Sequence, residues 1–357
     1  MLKATVMYKM TINLSIAKGI TFLSNQQFAN GGFRSYMSNN DDMLAYEGSS
    51  AGWFTEDGVV FPTLLIGNSL LFLAADPQVD KILNKIADFI LSQKNRGSVW
   101  NHFTPLHFLY SLCPFDLDDT ACASSFLKAR NIDFSSNRAL LLKNIDSRNL
   151  FYTWISFRRR LNFNKTYWIT SLRELKNPLK SLFFWKKMAC DRDDVDLVVN
   201  ANVLYYLSDA PNAKYVINYI LETVQNNLEI ESDKWYKNIS TIYYFISRNY
   251  YAGVKELLPI KQTMIDRILK TAKSNGAIGE SVLDTALAIC TLLNLNCYDS
   301  SIKLAVEFLI SEQIENGSWV KRGFYYDGPK KLVSWGSEEL TTSLCLEALG
   351  RYGMLTE

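Results

Sequence analysis

The chain has 357 residues, 48% hydrophobic and 21% charged, which is ample apolar material for one large domain or two ordinary ones. A formal net charge of +2 gives no case for nucleic acid as a partner. Six scattered cysteines without a CxxC pair, and only two histidines, leave no zinc set visible; free thiols in a reducing cytosol are the simplest account.

In chain order, residues 1–10 lack the basic, apolar and small-residue layout of a secretory signal. No apolar run reaches the roughly 18–20 residues of a membrane span. The expected location is therefore cytoplasmic. Helical periodicity begins at 13–26 through Leu14, Ile16, Ala17, Ile20 and Leu23, and the Gly31-Gly32 pair stops it. Residues 61–73 read as a helix that is apolar nearly all round, with Pro62 in its first turn; such a helix should be buried. The alternation then repeats. Amphipathic 79–93 is followed by apolar 118–127, and 136–157 by 198–207. Next come 213–226 with 239–246, 260–272 with 282–290, and 302–313 with 340–349.

Six amphipathic segments, each followed by a more apolar one, imply stacked helix pairs sharing one core. The predicted fold is all-α: an (α/α)6 toroid with six inner and six outer helices, spanning residues 1–357 as one domain. An open solenoid would need polar caps at both ends, and none is evident. The inner segments share a small or polar residue near their starts: Thr63, Thr120, Asn200, Thr241, Thr285 and Thr341.

At the start of the second inner segment stands Asp116-Leu117-Asp118-Asp119-Thr120-Ala121. One reading is helix capping, because free N–H groups and the dipole welcome acids there. The other is chemical. Carboxylates this close cannot all ionise cheaply in a dry pocket, so a proton is held at raised pKa.

The joints between pairs carry a pattern. Gln313 to Trp319 is QxxxGxW, Gln27 to Phe33 is the same with Phe last, and Gln93 to Trp100 is one residue longer. These resemble the QW motifs of the squalene–hopene cyclase superfamily, and Asp116 to Ala121 resembles the DxDDTA motif of class II terpene cyclases. The resemblance implies an isomerase of isoprenoid biosynthesis. Asp118 would be the general acid that protonates an alkene or epoxide of a linear polyisoprenoid, with Asp116 and Asp119 orienting it and holding its proton. It implies no metal and no cofactor, with Mg²⁺ called for only if the substrate carries a diphosphate. Related cyclases usually place the site between two barrels. Here a second barrel would come from a dimer mate or a partner protein, or one barrel suffices. The zinc ligands of protein prenyltransferase β subunits have no counterpart.

Aromatic faces must stabilise the cation that follows protonation. Trp100, Tyr205, Trp235, Tyr243 and Trp335 are candidates for such a lining. Asn200 and Asn202, buried amides needing partners, and His107, upstream of the acids, are further candidate contacts. Residues 191–196 (DRDDVD) either hold Mg²⁺ or cap a helix. A basic, aromatic insertion at about 158–190 suits an anionic membrane surface over its 158–187 stretch. Two rival functions stay open at this level. One is a non-catalytic toroid that binds lipid or protein. The other is a hydrolase pairing the acids with Glu338, Glu339 or Asp284.

Overall fold

A computed structural model describes residues 2–43, 58–158, 164–173, 178–188 and 190–355. Within them the helices are α1 (Leu2–Gln26), α2 (Phe61–Leu70), α3 (Pro77–Ser92), α4 (Leu117–Ala129), α5 (Arg138–Leu141), α6 (Lys165–Ser171), α7 (Pro178–Met188) and α8 (Leu197–Tyr206). They continue as α9 (Ala213–Gln225), α10 (Glu229–Ser232), α11 (Ile239–Tyr251), α12 (Leu258–Leu269), α13 (Val282–Asn294), α14 (Ser301–Ser311) and α15 (Glu338–Leu355). The segments that are apolar all round form a closed inner ring. α2 packs on α4, α4 on α8, α8 on α11, α11 on α13, α13 on α15, and α15 back on α2. The fold is the all-α toroid expected.

The outer helices turn one apolar stripe inward. In α3 that stripe is Val79, Ile82, Leu83, Ile86 and Ile90, at helical spacing. Capping sets where elements start. Asp76 accepts from the backbone of Gln78 and Val79 ahead of α3, and Asp196 from Val199 ahead of α8. One outer segment departs from expectation. Residues 136–157 form only the single turn of α5 and then a loop. Asp146 accepts from the backbone N–H of Arg148 and Leu150, and Asn149 sits at φ 65°, so the chain turns there and cannot continue as a helix.

The QW-like joints have a common construction. The motif aromatic offers its backbone N–H to a hydroxyl on the next inner helix: Phe33 to Thr63, Trp100 to Thr120, Trp319 to Thr342. Trp100 and Trp319 donate their indole N–H to Ile90 and Leu309, at the end of the preceding outer helix. Gln313 bonds the carbonyl of Ser15 on α1, and Gln27 that of Ile82 on α3, tying neighbouring outer helices together. A further joint without Gln or Trp lies at Asn275-Gly276, where Ile278 N–H meets Thr285.

Short strands gather ahead of inner helices. β1 (Tyr36–Ser38), β5 (Ser334–Gly336) and β4 (Tyr325–Tyr326) make one antiparallel sheet in that order. β2 (Phe115–Asp116) pairs with β3 (Trp154–Ile155) in a second. Of the basic insertion, α6 and α7 are described; residues 159–163, 174–177 and 189 lie outside the described residues.

Candidate active site

The segments that lead into the inner helices converge on an aromatic-lined cavity. Phe61 comes from the first turn of α2, and His102, Phe103 and Asp116 from the approach to α4. Trp235 and Tyr236 precede α11; Tyr325 and Trp335 come from the small sheet before α15. Trp154 of β3 and Phe184 of α7 complete an aromatic wall. Strand pairing sets Tyr325 opposite Trp335, and their rings stack at 5.9 Å and 8°. Trp154 meets Trp235 edge-on at 5.4 Å and Phe184 at 5.7 Å.

Asp116 and Asp119 line this cavity. Asp116 is the N-cap of α4 and accepts from the Asp118 N–H at 2.7 Å, so the capping and chemical readings of the motif coexist, with Asp116 as the cap. Asp119 is 1% exposed, and among the described residues its Oδ1 has no hydrogen-bond partner. Asp118 stands beside them and is bonded at both oxygens. Asn202 of α8 donates to Oδ1 at 2.6 Å and the Tyr236 hydroxyl donates to Oδ2 at 2.9 Å.

The three acids titrate as a set. Burial and then the mutual proximity of the carboxyl groups push Asp116 well above the usual range, and burial alone does so for Asp119. Burial also raises Asp118, but the Asn202 and Tyr236 donors hold it to about 6. His102 Nδ1 lies 3.5 Å from Asp119 Oδ2, a contact and not a hydrogen bond. Burial lowers His102 to about 4, so it is neutral at neutral pH and lends the acids no imidazolium charge.

The sequence-derived contacts divide. Trp235 and Trp335 line the cavity, and Asn202 binds the acid. Five candidates lie elsewhere. Trp100 is a joint residue, as described above. Asn200 plays the joint role in the third pair, bonding both N–H and carbonyl of Phe151. His107 stacks on Phe103 at 4.2 Å and accepts from Leu109 N–H, behind the lining. Tyr243 faces the outer ring, where its hydroxyl meets Glu229 and Arg267. Tyr205 stacks against the Arg248 guanidinium.

The pairing of acids across the cavity required for a hydrolase is not formed by Glu339 or Asp284. Glu339 sits 3.5 Å from Arg34, and Asp284 is bonded by Asn238, Ser281 and Glu280; neither lines the cavity. Residues 191–196 serve structure. Asp194 accepts from the Asp191 N–H and Asp191 from the Asp193 N–H, Lys234 pairs with Asp194, and Asp196 caps α8. Among the described residues no cluster of three His, Cys, Asp or Glu is arranged to hold a metal.

Phe61, His102, Trp154, Phe184, Tyr236 and Tyr325 were not among the sequence-derived lining residues. Their common signal is position: most lie in the segments just ahead of an inner helix, where a toroid opens its lumen.

No family model and no curated protein matches the chain by sequence. Solved structures do match its fold. An arginine-to-alanine variant of the type II terpene cyclase MstE from Scytonema, in complex with its substrate geranylgeranyl dihydroxybenzoate, is 17% identical at a TM-score of 0.69, covering 97% of this chain and 99% of that one. A protein from Actinoplanes is 14% identical at 0.69, covering 95% and 99%. The ent-copalyl diphosphate synthase from Streptomyces platensis is 15% identical at 0.52, covering 82% of this chain and 50% of its own. At these identities the likeness is one of fold.

Proposed function

We propose that the chain is a class II, protonation-initiated terpene cyclase acting on a linear polyisoprenoid, with Asp118 as the proton donor. The observation that carries this reading is an aromatic cavity lined by Asp116 and Asp119, with the buried Asp118 directly beside them. An alkene is a very weak base, so its donor must be neutral, strong and shielded from water. Asp116 and Asp119 hold protons too firmly to be strong acids, whereas Asp118, at about 6, lies nearest a neutral working pH. Each Asp118 oxygen accepts one hydrogen bond and keeps a second lone pair, which gives the acid proton a seat.

The alkene π pair takes the Asp118 proton and forms a C–H bond. The carboxylate left behind is already met by Asn202 and Tyr236. The carbocation faces the rings of Trp235, Tyr236 and Trp335 while further double bonds close rings onto it. Loss of a proton from the last cation balances the one gained, so substrate and product are isomers. The proton is the only reagent, and the reaction draws on neither cofactor nor metal.

The near-complete mutual coverage with MstE supports a single barrel as a sufficient catalytic unit. An isoprenoid substrate would be met at a lipid surface. Leu179 and Leu182 of α7 and Leu106 and Phe108 of the facing loop stand exposed, while Phe184 of the same helix lines the cavity. Together with the lysines and arginines of residues 158–187, they support docking on an anionic membrane.

The reading is tested by incubating the protein with a panel of linear isoprenoids, free, diphosphorylated or attached to an aromatic acid. At least one should be cyclised by the wild type and none by Asp118→Asn. A folded wild type that turns over none of them contradicts it.

A further inference from the structure

α11 carries a buried arginine in the ring that surrounds the lumen. Arg248 is 6% exposed, and among the described residues its Nε and Nη2 find no acceptor. Its guanidinium lies 4.4 Å from the ring centre of Tyr205, 5.3 Å from Phe245 and 5.7 Å from Tyr244. Among the described residues it makes no ion pair. The neighbouring carboxylate Glu347 is already engaged by Arg351 and by the Tyr244 hydroxyl. A buried guanidinium is costly, and the carboxylate beside it is shared with Arg351 and Tyr244.

Its position relative to the acid is informative. Tyr205 follows Asn202 by three residues on α8 and so lies on the same face, one turn on. Asn202 is the residue that holds Asp118. Cys122, one turn along α4 from Asp118, lies within electrostatic reach of both Asp118 and Arg248. The guanidinium thus rests on a ring that lies about one helical turn along α8 from the amide that holds the acid.

We propose that Arg248 is a positioning residue for the acid: its unpaired charge, acting through a lumen of low dielectric, stabilises the Asp118 carboxylate and so sets how strong an acid Asp118 is. The inference rests on Asp118 being the proton donor. The groups facing Asp118 are Asp116, Asp119 and Cys122 from its own end of α4, Asn202 and Asp196 from α8, Tyr236 ahead of α11, and His102. None of these is a cation at neutral pH, because His102 is held neutral by burial. A guanidinium stays charged at any working pH. Lys331 is the other cation nearby, but it faces Asp233 and donates to the Tyr236 carbonyl, so Arg248 is the cation that acts on Asp118.

The test needs no substrate, which separates its failure from failure of the cyclase reading. Protein labelled with ¹³C at the aspartate carboxyl is titrated by NMR, with the Asp118 signal identified by its loss in Asp118→Asn. Arg248→Met and Arg248→Gln should move the Asp118 midpoint upward by about 1, and Arg248→Lys should leave it near the wild-type value. An unmoved midpoint in a folded neutral variant overturns the proposal. Should both neutral variants unfold, the reciprocal measurement decides. In the charge-keeping Arg248→Lys protein, the introduced ammonium must titrate at lower pH once Asp118→Asn is added, by the linkage that couples the two charges. No change on adding Asp118→Asn refutes the coupling.

Discussion

At the scale of single residues, the site separates keeping a proton from giving one away. Asp116 and Asp119 keep theirs because burial penalises their anions; in the proposed reaction Asp118 would give up its own, because two donors already face its oxygens. Asp118→Asn should lower turnover by about 10³-fold or more with an unchanged circular dichroism spectrum. Tyr236→Phe removes the donor on Oδ2, so the Asp118 midpoint should rise and the high-pH limb of the activity profile should move up with it. The same burial has a cost in stability. The Asp118 carboxyl has a folded pKa of about 6 against 3.8 when unperturbed. Its contribution is therefore fully present below the unfolded value and is lost as pH rises through about 6, by up to about 3 kcal/mol. Urea midpoints should climb between about pH 7 and about pH 4, and climb less in Asp118→Asn. An identical slope in the two proteins would show that Asp118 does not titrate as described.

At the scale of elements, the joints lock one helix pair to the next. Gly317 sits at φ 93°, and a Cβ there would come 2.4 Å from the Lys18 carbonyl on α1. Gly253, at φ 108°, has nothing within 4 Å of such a Cβ. Gly253→Ala should therefore cost about 1 kcal/mol for the backbone conformation alone. Gly317→Ala should cost several times more, read as a lower urea midpoint. The helix pairing was legible because apolar-all-round and striped segments differ in composition, and because Gln, Gly and Trp mark the joints. The joint at Asn275-Gly276 escaped because it retains only the turn: Asn275 accepts from Ala277 N–H with no Gln or Trp nearby. The outer segment 136–157 was misread because Leu140, Leu141, Leu142 and Ile145 mimic a helical stripe, while Asp146 and Asn149 break the chain immediately after them. The acids were legible as a motif. Their partner Tyr236 was not, since ring closure brings it to them from a distant part of the chain.

At the scale of the whole molecule, closing six inner helices into a ring gathers the loops before them around one mouth, and that mouth holds the acids and the aromatic wall. α7 stands between the cavity and an exposed apolar face, so docking and substrate uptake would share one element. The protein should cosediment with vesicles rich in phosphatidylglycerol more than with zwitterionic ones, and the double change Leu179→Ser with Leu182→Ser should reduce that binding several-fold. Among the described residues no helix is long and apolar enough to cross a membrane. Because the proposed docking draws on basic side chains, added salt should weaken it. The most direct measurement of the central claim is a reaction run in D₂O with a linear isoprenoid that the protein accepts, followed by mass spectrometry of the product. Protonation by the aspartate cluster should deliver a cyclised isomer carrying one deuterium at the carbon that starts the cascade. A cyclised product free of deuterium, or an equally labelled product from Asp118→Asn, would contradict an acid-initiated reaction at Asp118.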